Sequence, residues 1–150
     1  MKVDVTIKEK IFYPSEELAI LKSCDEFTDL PEGEKILVYS LYEIAAEKTV
    51  ALLDRARTEP RDLYDLWYLT KHSAVDLGDC LDAIHAKLAY RGKQLNEVSG
   101  EFHKKEARLK NKWEARLSAQ MVSLSEFNGV YRAMKRAFRQ AKITNVDCIY

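Results

Sequence analysis

Helical periodicity begins at Ser40 and fills the rest of the chain, whereas the first 40 residues hold only short strand-like patterns. The opening K-V-D-V-T-I places Val3, Val5 and Ile7 on one face and Lys2, Asp4, Thr6 and Lys8 on the other, the period of two of a half-buried strand. Residues 14–34 join a weakly helical E-E-L-A-I-L-K to D-E-F-T-D-L-P-E-G-E, whose Pro31 and Gly33 mark a turn. The apolar run 36–39 then reads as a short strand or extended segment. One or two strands do not make a stable sheet alone, because three or more with a covered face are normally required. The expected fold class is therefore α+β, predominantly α: a short N-terminal strand region followed by about five helices. The strand would belong to a sheet completed by another chain or by an upstream part of a larger protein.

The helices are bounded by local signals. Ser40 and Glu43 form an S-x-x-E capping box, and the pattern behind it runs to about Arg57. Pro60 suits the first turn of a second helix reaching about Lys71. A third opens at Asp76 or Leu77 and stops at Gly92, a natural left-handed C′ residue. A fourth, from near Glu97 to Met121, carries Phe102, Leu109, Trp113, Leu117 and Met121 at mostly helical spacing. A fifth follows a capping box at Ser123 and Glu126, with Phe127, Val130, Tyr131, Met134 and Phe138 on one stripe.

Composition narrows the class. At 150 residues, 47% hydrophobic, with five Gly and three Pro, the chain is a packed protein rather than a disordered one. No apolar run approaches the roughly 18 residues of a membrane span, and the first ten residues lack a signal-peptide core. Cys24, Cys80 and Cys148 are odd in number and far apart, and His72, His85 and His103 form no metal-ligand spacing, so a cytoplasmic chain with free thiols is expected. The zero net charge conceals a split. Residues 1–90 carry 11 Lys+Arg against 18 Asp+Glu, a net of −7, and residues 91–150 carry 13 against 6, a net of +7. Such a split marks two partners or two parts that attract each other.

The most informative residues are charges on apolar stripes. At 100° per residue Leu41, Ile44, Ala45, Lys48, Leu52 and Arg55 share one side of the first helix, with Lys48 near its middle. Either its stem packs while the ammonium reaches water, or a cation waits in a cleft for an anion. On the second helix Asp62, Asp65, Leu66 and Leu69 share a stripe. Asp62 in the first turn favours the helix dipole, but Asp65 lies nearly a turn further in. Beside a lysine these carboxylates form either a structural salt bridge or the polar floor of a phosphate- and metal-binding site. Asp4 is a weaker metal candidate. Tyr64, Trp67 and Tyr68 read as core packing before base stacking, and the run H-K-K-E-A-R-L-K-N-K-W-E-A-R reads as a solvated face before a phosphate binder.

The stretch L-Y-E-I-A-A-E-K-T-V-A-L-L-D-R-A-R-T-E-P-R-D-L-Y-D-L-W-Y-L resembles the E-K-x-x-A-L and R-D-x-x-D-L motifs of the AbiEii/AbiGii nucleotidyltransferase family, toxins of type IV abortive-infection toxin–antitoxin systems active in phage defence. The likeness extends to the K-V-D-V-T-I strand, to K-N-K-W-E-A-R-L and to F-N-G-V-Y. The resemblance implies catalytic roles for Lys48 and for Asp62 or Asp65, nucleotide binding by Lys48 and Arg61, and a metal-binding role for Asp4. It further implies Mg²⁺ as cofactor, an NTP as donor, an RNA (tRNA) or protein acceptor, and an antitoxin partner. The sequence has no Gly-Gly or Gly-Ser turn and no Asp-x-Asp, the family's nucleotide- and metal-binding motifs. The chain is therefore expected to resemble the family's C-terminal portion: residues 1–40 a remnant of the sheet and its connecting loop, 41–92 the helices carrying the motifs, and 93–150 a basic helical region.

Two readings compete with an enzyme fragment that is inactive alone. One is a non-catalytic helical module binding RNA or protein through Lys104, Lys105, Arg108 and Lys110. The other is a structural dimer that pairs the orphan strand.

Overall fold

The computed structural model describes residues 9–20 and 33–144. The expected strand over residues 2–8, with Asp4, lies outside the described residues, as do Cys24 and Cys148. The chain is α+β and mostly helical: an antiparallel pair, β1 (Glu16–Ala19) and β2 (Lys35–Val38), precedes α1 (Leu41–Leu53), α2 (Pro60–His72), α3 (Leu81–Tyr90), α4 (Leu95–Val98), α5 (Glu101–Lys104), α6 (Glu106–Leu117) and α7 (Phe127–Gln140).

The hairpin corrects one expectation. E-E-L-A, read as weakly helical within a loop, is a strand and pairs from Glu16↔Val38 to Ala19↔Lys35. So short a helix would have to meet the cost of nucleation with few bonds, whereas the ladder with β2 satisfies the backbone at once. Leu18, Ile20, Ile36 and Leu37 remain exposed among the described residues.

α1 begins as expected at Ser40, whose Oγ accepts the Glu43 amide at 3.1 Å. The reciprocal half of the capping box is not made. The Glu43 carboxylate instead accepts the amides of Phe12 and Tyr13 at 3.1 and 3.0 Å and pairs with Lys87. α1 also stops at Leu53, four residues before Arg57, with an extended Asp54 as its C-cap. There the Lys105 ammonium donates to the carbonyls of Leu52 and Asp54, closing the helix end from 53 and 51 residues away.

α2 starts at Pro60 as expected. α3 starts later than expected, because residues 76–80 turn on the Asp76 carboxylate, which accepts the Gly78 amide at 2.7 Å. Its end is as expected: Gly92 has φ +67°, and the Lys93 amide reaches back to the Leu88 carbonyl. The single fourth helix is broken into α4, α5, α6 and a 3₁₀ turn over Ser118–Gln120. The Ser123/Glu126 capping box is absent, since Glu126 is the N-cap of α7 and makes no side-chain cap bond. The Ser125 carbonyl accepts Trp113 Nε1–H at 3.0 Å, drawing the connection onto α6.

The core follows the expected stripes. Phe127, Val130, Tyr131, Met134 and Phe138 of α7 are buried with Phe102, Leu109, Trp113 and Leu117. Phe102 meets Tyr131 and Phe138 at 4.9 and 4.8 Å between ring centres. α1 packs on α2 and α3, and α2 also packs on α6 and α7, so α1 and α2 hold their charged residues face to face. Among the described residues no helix is long and apolar enough to cross a membrane.

Candidate functional site

Where α1 crosses α2, Lys48 of α1 faces two carboxylates of α2. Its Nζ donates to Asp62 Oδ1 at 3.0 Å and to Asp65 Oδ2 at 2.7 Å. The i, i+3 spacing places both aspartates on the α2 face turned to α1, as Pro60 sets the phase of the helix. Arg57, in the loop before α2, grips Asp62 through Nε to Oδ2 at 2.7 Å and Nη2 to Oδ1 at 3.2 Å.

Burial grades the cluster. The Asp62 side chain is 1% exposed, Lys48 21% and Asp65 36%, so the polar floor opens outward through Lys48 and Asp65. Burial alone would push the Asp62 carboxyl up, but hydrogen bonds and charge from Arg57 and Lys48 outweigh it and hold the carboxyl below its ordinary value. The hydrogen bond to Asp62 in turn raises Arg57.

Two cations against two carboxylates leave the cluster locally neutral. Both Asp62 oxygens are already taken by Lys48 and Arg57, which ill suits a divalent ion needing several free oxygens. Among the described residues no three His, Cys, Asp or Glu side chains converge as a metal site. The cluster as built does not fit Mg²⁺. It does leave one N–H of the Lys48 ammonium without an acceptor among the described residues, on a side chain that reaches solvent.

Arg61 is exposed on the first turn of α2 and pairs with no acid among the described residues, while Arg57 takes the position beside Asp62. Both arginines stand in R-T-E-P-R-D. Pro60 starts the helix, so the chain before it folds back and brings Arg57 alongside Asp62. A second cluster also escaped sequence reasoning: Lys87 of α3, 2% exposed, pairs with Glu43 and Glu47, and Arg91 reaches Glu47 at 3.2 Å. Its signal was available, since Lys87 lies on the same stripe as Ala83, Ile84 and Leu88.

The expected basic run is divided. Lys105 is fully buried on the end of α1, so it is removed from the expected RNA-contacting set, and burial pushes its pKa down to about 8. Lys104 pairs with Glu101, while Arg108 and Lys110 are exposed. α7 adds Arg132, Lys135, Arg136 and Arg139 with no acidic residue, and none of the four forms an ion pair among the described residues. Of the aromatic set, Trp67 is in the core, Tyr64 is half-buried and Tyr68 is 48% exposed.

A mostly helical α+β chain with a lysine bridging two motif aspartates is the class these observations define. The sequence matches the family model described as Nucleotidyl transferase AbiEii toxin, Type IV TA system, over residues 1–142, and the chain belongs to that family. Neither a curated protein nor a solved structure matches it significantly.

Proposed function

We propose that this chain serves nucleotidyl transfer from an NTP to an RNA or protein acceptor, as part of a composite site. The Gly-Gly or Gly-Ser turn and the Asp-x-Asp carboxylates missing from its sequence would come from a separate N-terminal half, and the chain would be inactive without it. Lys48 carries the reading: its third N–H can meet a nucleotide phosphate while Asp62 and Asp65 hold the ammonium in place. Arg57 keeps Asp62 ionised and oriented, and Arg61 offers an exposed cation on the first turn of α2. Mg²⁺ and Asp4 as its ligand rest on the family resemblance. An antitoxin partner follows from the same membership.

Reconstituting the chain with a polypeptide carrying the missing motifs, and following incorporation of label from an NTP, tests this. Transfer should need both pieces and should collapse with Lys48→Ala. Unaltered transfer by that variant, or full transfer by the chain alone, would overturn the proposal.

The α7 cations, which form no ion pair among the described residues, favour a second reading, a non-catalytic RNA-binding module. It expects salt-sensitive RNA binding that weakens when Arg132, Arg136 and Arg139 are neutralised together. Absence of binding at low salt would remove it.

A further inference from the structure

The face of α1 and α2 that holds the ion cluster also holds an apolar concavity of about 380 Å³, lined by Ile44, Tyr64, Asp65, Tyr68 and Leu69. Ile44 lies one turn before Lys48 on α1, and Tyr64 and Tyr68 lie one turn apart on α2. The hollow is therefore the α1–α2 groove itself, with an aromatic wall and Asp65 on its rim. Tyr64 and Tyr68 stack at 6.5 Å with 22° between their planes, and His72 continues the series at 4.6 Å from Tyr68. The volume is at the lower end of ligand pockets, about 300 to 1,000 Å³, which suits one planar ring system better than a whole nucleotide. The Asp65 Oδ2 atom is taken by Lys48, whereas Oδ1 accepts no hydrogen bond from a described residue.

We propose that the Tyr64–Tyr68 groove is a nucleobase site, in which a ring stacks on Tyr68 and donates its exocyclic amine to Asp65. A carboxylate accepts only, so it favours the exocyclic amine of cytosine, adenine or guanine over uracil, whose one ring donor, N3–H, is flanked by two carbonyl oxygens that repel the carboxylate. The base can come from a free nucleotide or from the end of a single-stranded RNA. This assignment rests on the nucleotide-handling reading above, and it adds the base to a site so far argued only for phosphate.

Titrating the full chain with cytidine, uridine, CTP and a short single-stranded RNA ending in cytidine, read by chemical-shift changes, separates the alternatives. Cytidine should move signals of α1 and α2 and bind more tightly than uridine, and Asp65→Asn should reduce that preference. Tyr68→Leu should weaken binding by about tenfold, in the range of base stacking on an aromatic ring, and Tyr68→Phe should retain it. Because Tyr68 is exposed, Tyr68→Leu is expected to fold, and Tyr68→Phe checks the ring if it does not. Tighter binding of CTP points to the free nucleotide, and tighter binding of the RNA to its end. No binding of any probe, equal binding of uridine, or binding unchanged in Tyr68→Leu overturns the assignment. Nucleoside binding is scored without transfer: lost transfer with retained cytidine binding removes only the composite-enzyme reading, and the reverse result removes only this one.

Discussion

Glu47 and Lys48 are neighbours on α1, yet they belong to opposite kinds of charge cluster. Glu47 turns to α3, where Lys87 is enclosed by Glu43, Glu47 and the Lys10 carbonyl, and where Glu43 also holds the amides of Phe12 and Tyr13. Lys48 turns to α2, where its side chain is 21% exposed against 2% for Lys87 and gives two N–H groups to the aspartates, leaving the third without an acceptor among the described residues. The first is closed, and it straps residues 10–13 to the helices. The second is open, and an incoming anion or base can still find a partner there. Paired charge marks a candidate site only where its hydrogen-bonding capacity is left incomplete toward solvent.

The largest test of this contrast is Lys87→Ala, which removes the buried cation and leaves Glu43 only the amides of Phe12 and Tyr13 and Glu47 only Arg91. It should cost about 3–5 kcal/mol, seen as a large fall in the urea midpoint. Lys48→Ala should cost less stability, since Arg57 still pairs with Asp62. Its main effect is expected on transfer in the reconstituted enzyme, a loss of about a hundredfold, comparable to removing one preorganised donor. If the two variants destabilise equally and transfer persists, the distinction between closed and open clusters fails.

Lys105 provides a pH test of a third, wholly buried cation. Burial lowers its folded-state pKa to about 8, while the unfolded chain keeps the ordinary lysine value. Between these values the unfolded state binds the extra proton, so stability rises with pH through that window. Relative to Lys105→Met, the wild type should therefore gain about 2.5 kcal/mol of stability from pH 8 to pH 10.5 in urea titrations. A difference that is flat with pH would contradict the assignment.

A smaller effect is expected at Arg57. The Asp62 carboxyl is held below its ordinary value, so its stabilisation is present at neutral pH and is lost as pH falls through the folded-state pKa. Arg57→Ala should shift that loss to higher pH and cost about 1 kcal/mol at neutrality, since the arginine is half exposed. Arg61→Ala should stay within about 0.5 kcal/mol in the same melts, as a surface change that breaks no ion pair among the described residues.

Much of this was legible in advance. Every residue expected on the α7 stripe is buried, and Lys48, Asp62 and Asp65, singled out as charges on apolar faces, meet at one point. The same rule applied to Lys87 on α3, or to Lys105 between Phe102 and Leu109, would have found the other two buried cations. The failures lie where a local signal had a distant competitor. Glu43 had the spacing to cap its own helix, but bonds to residues 12, 13 and 87 satisfied it better. A continuous helix over 97–121 was equally reasonable by periodicity, yet the chain breaks it at residues 99–105, where Lys105 turns to the end of α1.

By itself the sequence determined that the chain from Ser40 onward is mostly helical, which stripes of α1, α2 and α7 carry the buried residues, and that a lysine and two aspartates lie where charge needs a partner. These are consequences of 3.6-residue periodicity and of the cost of burying an unpaired charge, both of which act over a few residues. Only the tertiary structure decided that Arg57 rather than Arg61 grips Asp62, that Lys87 and Glu43 pair across 44 residues, and that Tyr68 stays open beside Asp65. Such pairings depend on how α1, α2 and α3 cross, and a crossing is fixed by the packing of whole helix faces rather than by any one stretch of sequence.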